Sequence, residues 1–303
     1  DRYYNDPHER MFVFMISKHG NHTLFMNDLF YLEHDLDVNI VWHKDGQDAI
    51  QTIVDEMHFP GRIGIDKNWA SHFLLDLMKK LPDAKYINAS PCVDLVRMKK
   101  DLQEQVLMIE SSKINDAVME EIIPFIQEGV TEKQLAKKLD ELFFNHHSTC
   151  YGAIVAFGKN AADPHHENDD TPLRKGDCVL IDMGCVYKGY CSDMTRTFFY
   201  EGILEEEIKV YEIVKKANEA AEAMIKPGVK LSDIDKCARK VISDEGYGKY
   251  FTHRLGHFIG RDVHEYGDVS SVNEMEVEEG MIFSIEPGIY LEGNFGVRVE
   301  DLV

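Results

Sequence analysis

A chain of 303 residues, 44% apolar and 29% charged, can bury a large core, and this balance suggests one large or two medium globular domains. A formal charge of -21 argues against a nucleic-acid partner, and no stretch approaches the roughly 18 apolar residues of a spanning helix, so no membrane partner is expected. The six cysteines form no C-x-x-C pair and fit reduced thiols in a cytosolic protein, although Cys185 and Cys191 could pair if oxidised.

The chain opens on Asp1-Arg2-Tyr3-Tyr4, without an initiator Met or a signal pattern, as expected of a fragment or processed chain. Met11 to Ile16 and Val38 to Trp42 read as strands, and "GRIGID" leads into a helical pattern through Leu74, Leu75, Leu77 and Met78. This alternation predicts a small α/β domain over residues 1–97. From about Arg97 a long charged helical stretch begins, and residues 98–303 form the second domain.

That second domain carries an internal repeat. "IQEGVTEKQLAKKLDELF" from Ile126 and "IKPGVKLSDIDKCARKVI" from Ile225 share a helix, Gly-Val and a second helix at an offset of 99 residues. Each second helix opens with a capping signature, Thr131 with Gln134 and Ser232 with Asp235. Further on, "KGDCVLIDMG" and "EGMIFSIEPG" align at an offset of 104, each an apolar run ending in an acid, Asp182 or Glu286.

Each acid leads through glycines to another, Asp182 to Asp193 and Glu286 to Glu300. Hairpins centred near Tyr187–Lys188 and near Gly293 would make both pairs cross-strand neighbours. Opposed residues hold their β-carbons roughly 4.5–5.5 Å apart, where like charges on an apolar face are destabilising. Two such pairs, brought together about a pseudo-twofold axis, require protons or cations. Two divalent ions would balance them; oxygen ligands with one imidazole suit Mn2+, with Fe2+, Co2+ or Zn2+ as alternatives.

"THRLGHFIGRDVHEYG" packs His253, His257 and His264 into sixteen positions. The spacing of the first two imitates the H-x-x-x-H of a helical zinc protease, but Arg254 stands where that mechanism needs Glu, and Gly256 and Gly260 oppose a helix. "PHHENDD" adds His165 and His166 in the corresponding loop of the first repeat.

"LIDMGCVYKGYCSDMTRTF", "HRLGHFIGRDVHE", "FSIEPGIY" and "GVRVED" closely resemble the pita-bread metallopeptidases, a family that includes prolidase, aminopeptidase P, methionine aminopeptidase and creatinase. The likeness runs from about Arg97 onward and is nearest to bacterial Xaa-Pro dipeptidases, which "YYNDPHERMFVFMI" also resembles; those begin earlier and continue slightly further, so both termini look truncated. The resemblance implies an α+β chain: a C-terminal pita-bread fold with a pseudo-twofold repeat, preceded by a smaller α/β domain. It implies the metal ligands Asp182, Asp193, His257, Glu286 and Glu300, and a homodimer. Phe258 and Arg261 depart from residues common in the family, which bears on pocket shape.

The activity implied is hydrolysis of Xaa-Pro dipeptides with release of proline, by water acidified between two ions. The scissile bond is a tertiary amide without N–H, a poor fit to peptidases that bind substrate as a strand. The family pattern makes Glu286 the proton shuttle, His264 and His165 the groups facing the carbonyl oxygen, and His253 a support of the pocket. Arg298 shares a strand face with Glu300, to orient it, to meet the substrate carboxylate or to form a structural salt bridge. Arg261, His165 and His166 are the other candidates for that carboxylate. The rival activity is aminopeptidase P-like removal of an N-terminal residue from longer peptides. A non-catalytic peptide-binding relative would lack a ligand, and none is missing.

Overall fold

The computed structural model describes residues 9–18, 20–30, 32, 36–57 and 61–303. Residues 3–8 of the N-terminal resemblance therefore lie outside the described residues. Two compact units divide between Val93 and Asp94. Among the described residues no helix is long and apolar enough to cross a membrane.

In the first unit, β1 (Val13–Met15) pairs antiparallel with β2 (Thr23–Asn27), and β2 pairs parallel with β3 (Asn39–His43). The central strand β2 is buried along its whole length, so "TLFMN" shows no alternation and escapes a period-two reading. Then come α1 (Ala49–Glu56), β4 (Arg62–Ile65), α2 (Ser71–Lys80) and β5 (Lys85–Asn88), with β4 and β5 parallel. Met11, Phe25, Ile50, Ile53 and Leu77 form the α/β core. Helix α3 (Ser90–Met98) contains the division.

The second unit opens with α4 (Leu102–Ile122), started by a capping box between Asp101 and Glu104. Helix α5 (Glu132–Asn145) packs on α4, and later α7 (Leu231–Asp244) packs on α6 (Glu205–Glu222). α5 and α7 have equal length and start 99 residues apart, at the repeat offset. Thr131 and Gln134 form the expected capping box. The second capping pair does not form: α7 starts after Lys230, Ser232 donates to Glu274 Oε1 at 3.1 Å, and the Asp235 carboxylate is turned inward to Arg239 and the amide of Leu255.

Between the helix pairs lie short strands. β6 (Thr149–Cys150) pairs with β9 (Cys185–Tyr187), which continues to β10 (Tyr190–Cys191); β7 (Ile154–Phe157), β8 (Cys178–Met183) and β11 (Met194–Phe199) form a second sheet in the order β11-β8-β7. β8 is apolar on both faces. Val179, Ile181 and Met183 join the core under α4 and α5, whereas Cys178 and Leu180 join that under α6 and α7. At about 1.5–3 kcal/mol for each large buried side chain, these alternating contacts fix the strand's register. Asp182 shares the parity of Cys178 and Leu180, so the fold directs it toward the second half.

The first hairpin differs from expectation by one position. Its turn is Lys188–Gly189, both at positive φ (49° and 82°), so Asp182 opposes Thr195, and Asp193 is its diagonal neighbour on the same face. Cys191 opposes Val186, which puts it on the opposite face from Cys185 and removes that disulfide.

The second half supplies β12 (Gly256–His257) with β13 (Asp268–Val269), β14 (Ser284–Ile285) with β17 (Asp301–Leu302), and β15 (Gly288–Leu291) with β16 (Phe295–Arg298). Here the register centres on Gly293 and sets Glu286 and Glu300 opposite each other. The two halves meet where the Glu300 amide donates to Thr195 O at 3.1 Å.

Gly184 lies between the two ladders of the first hairpin. A β-carbon there would collide with the Tyr151 hydroxyl and Ser192 O, which themselves hydrogen-bond at 2.8 Å. Gly184→Ala should therefore cost about 1–3 kcal/mol and lower the melting temperature by several degrees. An unchanged midpoint in thermal unfolding would refute the close approach.

Candidate metal centre

Five side chains converge from four places in the second unit: Asp182 from β8, Asp193 from the start of β11, His257 from β12, and Glu286 and Glu300 from the paired segments beside β15 and β16. Among the described residues, ligand atoms of Asp193, His257 and Glu300 all lie within 4.8 Å of one another. His257 Nε2 is 3.5 Å from Asp193 Oδ2 and 3.6 Å from Glu286 Oε1.

Each candidate ligand is oriented by a defined partner. His257 Nδ1 lies 3.2 Å from Phe258 O, which makes Nδ1–H the donor and leaves the Nε2 lone pair facing the carboxylates. Burial lowers the pKa of this imidazole and favours the neutral form a metal needs. Thr195 Oγ1 donates to Glu300 Oε2 at 2.7 Å, and Ser284 Oγ donates to Glu286 Oε1 at 3.0 Å while accepting from the His257 amide. The Met194 amide donates to Asp193 Oδ1 at 3.1 Å, and Arg298 Nη2 donates to Asp182 Oδ2 at 2.5 Å. Gly256 admits β12 to this region, because a β-carbon there would meet Ser284 O.

The electrostatics favour a cation. Burial first, then Asp182, holds the Asp193 carboxyl well above the usual range; burial first, then Asp193 and Asp182, does the same to Glu300. Glu286 is pushed up to about 8 by burial and then by Glu300. Glu300 Oε1 is buried without any hydrogen-bond partner. An acceptor of this kind, in a group of hard oxygens with one neutral imidazole, fits a divalent ion.

Arg298 is 3% exposed and heavily engaged. Nε donates to Thr195 Oγ1, Nη1 to Tyr290 Oη and Pro164 O, and Nη2 to Asp182. It thus reaches Glu300 only through Thr195 and directly orients Asp182. Since Arg298 donates to Tyr290 Oη at 3.0 Å, the Tyr290 hydroxyl donates to His253 Nε2 at 2.8 Å, and His253 Nδ1–H donates to Arg254 O at 2.7 Å. Burial pulls the His253 imidazole down to about 4, in keeping with this neutral tautomer. Desolvation, then His257, brings His264 to about 4, and the two rings lie edge to face at 4.1 Å.

Three residues singled out in the sequence have these surroundings. The His166 Nε2 is 2.6 Å from Oε2 of the buried Glu132. The Arg261 guanidinium lies over the Tyr190 ring at 5.6 Å, beside the Lys188–Gly189 turn. Phe258 is fully buried against Phe283 and shapes the core, not a pocket wall. Sequence reading missed Thr195, Ser284 and Tyr290. The first two stand two residues from Asp193 and Glu286, the same period-two signal that singled out Arg298 beside Glu300.

Residues 106–303 match the pattern of metallopeptidase family M24, and residues 3–99 that of the creatinase/prolidase N-terminal domain. The chain is similar to a dipeptidase from Pyrococcus horikoshii OT3, at 36% identity and TM-score 0.92, over 99% of this chain and 85% of that one. It is similar to a prolidase from Thermococcus sibiricus, at 36% identity and TM-score 0.91, over 98% and 83%. A third likeness is to a Xaa-Pro dipeptidase from Bacillus anthracis, at 30% identity and TM-score 0.90, over 97% and 84%. The chain belongs to metallopeptidase family M24: it is a metal-dependent peptidase of the pita-bread fold, preceded by a creatinase/prolidase-type domain.

Proposed function

We propose that this peptidase hydrolyses Xaa-Pro dipeptides at a centre of two divalent ions, most suitably Mn2+, held by Asp182, Asp193, His257, Glu286 and Glu300. The observation that carries the reading is the unpartnered Glu300 Oε1 among buried carboxylates with His257 Nε2 in ligand reach. The dipeptidase, prolidase and Xaa-Pro dipeptidase likenesses support the substrate class. The reading takes residues 98–303 as the catalytic domain and 1–97 as the domain preceding it, in a cytosolic homodimer.

Bound ions supply positive charge and acidify water. Glu286, held by Ser284 Oγ beside His257 Nε2, would take a proton from water and return it toward the departing proline nitrogen. His264, neutral at that pH, offers N–H to the carbonyl oxygen, and His165 does the same from the other half. His253, fixed by Tyr290, supports the pocket.

Arg298 is committed to Asp182, Thr195, Tyr290 and Pro164, so another cation meets the substrate carboxylate. We assign it to Arg254. Its side chain is 41% exposed, its nearest carboxylate oxygen, on Asp268, is 3.9 Å away, and its charge acts on both His257 and His264.

Three outcomes are expected. Ala-Pro is cleaved faster than Ala-Pro-Ala; preference for the tripeptide in a paired assay points to an aminopeptidase instead. Arg254→Ala raises KM for Ala-Pro about 10- to 100-fold, the value of about 1.5–3 kcal/mol for a hydrogen bond to a charged group, and an unchanged KM refutes the assignment. The third concerns stability. Folded Glu286 titrates near 8 and an unfolded Glu near 4.5, so the ion-free folded chain binds more protons across that window and loses stability as pH rises through it. Melting temperature should therefore gain more from Mn2+ at about pH 8 than at about pH 5, and Asp193→Ala should abolish the gain; an equal gain at both pH values contradicts the charge argument.

A further inference from the structure

His165 and His264 stand 99 residues apart, the offset that separates α5 from α7. The residue after each is an ionic anchor. His166, after His165, meets Glu132 Oε2 at 2.6 Å. Glu265, after His264, accepts from Lys100 Nζ at 2.9 Å and from Arg97 Nη2 at 2.7 Å. The anchoring carboxylates of Glu132 and Glu265 are 0% and 4% exposed.

Glu132 lies in the first turn of α5, and its partners all come from the segment that carries His165. Oε1 accepts from the Phe157 amide at 2.9 Å and from Asn160 Nδ2 at 2.9 Å; Oε2 accepts from the Asp169 amide at 3.0 Å as well as meeting His166. Glu132, His166 and Asp169 could group around a cation, but every Glu132 oxygen already has donors, so the cluster is a clasp closed by the chain itself. On the other side of His165, Pro164 O accepts from Arg298 Nη1 at 3.3 Å, and the same guanidinium holds Asp182. The exposed His165 is therefore pinned on one flank to a residue that orients a metal ligand and on the other to a buried carboxylate.

We propose that Glu132 and His166 are positioning residues, whose buried pair fixes the 157–169 segment so that the His165 imidazole meets the reacting carbonyl oxygen. This rests on the role given above to His165. A loop left to sample several conformations would bind substrate unchanged but would rarely present the ring in reacting geometry, so the effect falls on kcat. The second half uses the same device with reversed polarity: Glu265 is the loop residue, and Lys100 and Arg97 are the buried or half-buried partners.

The test uses the Mn2+-loaded full chain with Ala-Pro. His166→Ala should lower kcat at least about tenfold with KM changed less than about twofold and metal content intact. His166→Gln, whose amide still reaches Glu132, should recover most of the loss. Glu132→Gln should reproduce the kcat pattern, and serves as a second variant if His166→Ala expresses poorly. The deciding measurement is the double-mutant cycle: added to His165→Ala, His166→Ala should cost less than about twofold more. Multiplicative losses, or a fall in metal content and melting temperature in step with kcat, would overturn the positioning role and leave His165 as read. An unchanged kcat in His165→Ala alone would overturn both.

Discussion

Four carboxylates brought to one buried place are the constraint on which the second unit is organised. Two unit charges about 4 Å apart repel by about 4 kcal/mol at an effective dielectric of about 20, so a few such pairs rival the roughly 5–15 kcal/mol that holds a domain folded. Protons or cations must relieve this, and the raised carboxyls of Asp193, Glu286 and Glu300 express the proton alternative. Among the described residues, Arg298 is the one cation hydrogen-bonded within the group, and it binds one carboxylate, Asp182. The hydroxyls of Thr195 and Ser284 orient Glu300 and Glu286 but add no charge.

That constraint also explains what the sequence made legible. Acids at the ends of apolar β-runs conflict with their surroundings unless a site compensates them, and the conflict appears twice at related spacing. The 99-residue offset reappears in α5 and α7, which are of equal length. The second hairpin keeps the register implied by its glycines, with Gly293 at φ 75° in the turn. The first does not. Its turn puts Lys188 in the left-handed region at φ 49°, a conformation with no signature in "YKGY", and the slip of one position replaces an opposed Asp pair by a diagonal one.

Other residues take their surroundings from tertiary pairing that local sequence does not show. His166 is bound by Glu132, 34 positions away, and that acid reads in sequence as an ordinary first-turn helix residue. Asp235 reads as half of a capping box, yet the fold turns it inward, where it holds Arg239 and the Leu255 amide beside the His253 segment. Tyr290 gains its meaning only when β15 places its hydroxyl between Arg298 and His253. Local propensity describes each of these residues correctly in isolation, and tertiary pairing overrides it at a cost that nearby sequence cannot reveal.

The pseudo-twofold repeat supplies likeness where charge is gathered and unlikeness where it is used. Both halves deliver a carboxylate pair, but the first gives two short Asp side chains set diagonally and the second two longer Glu side chains set opposite each other. One member of each half is restrained by the other half, Asp182 through Arg298 and Glu300 through Thr195, so neither half completes the group alone. Four negative charges against the one positive charge of Arg298 leave three. An arginine placed among these carboxylates therefore does more than hold Asp182: it cancels one of their charges, so fewer protons or cations are needed to relieve the rest.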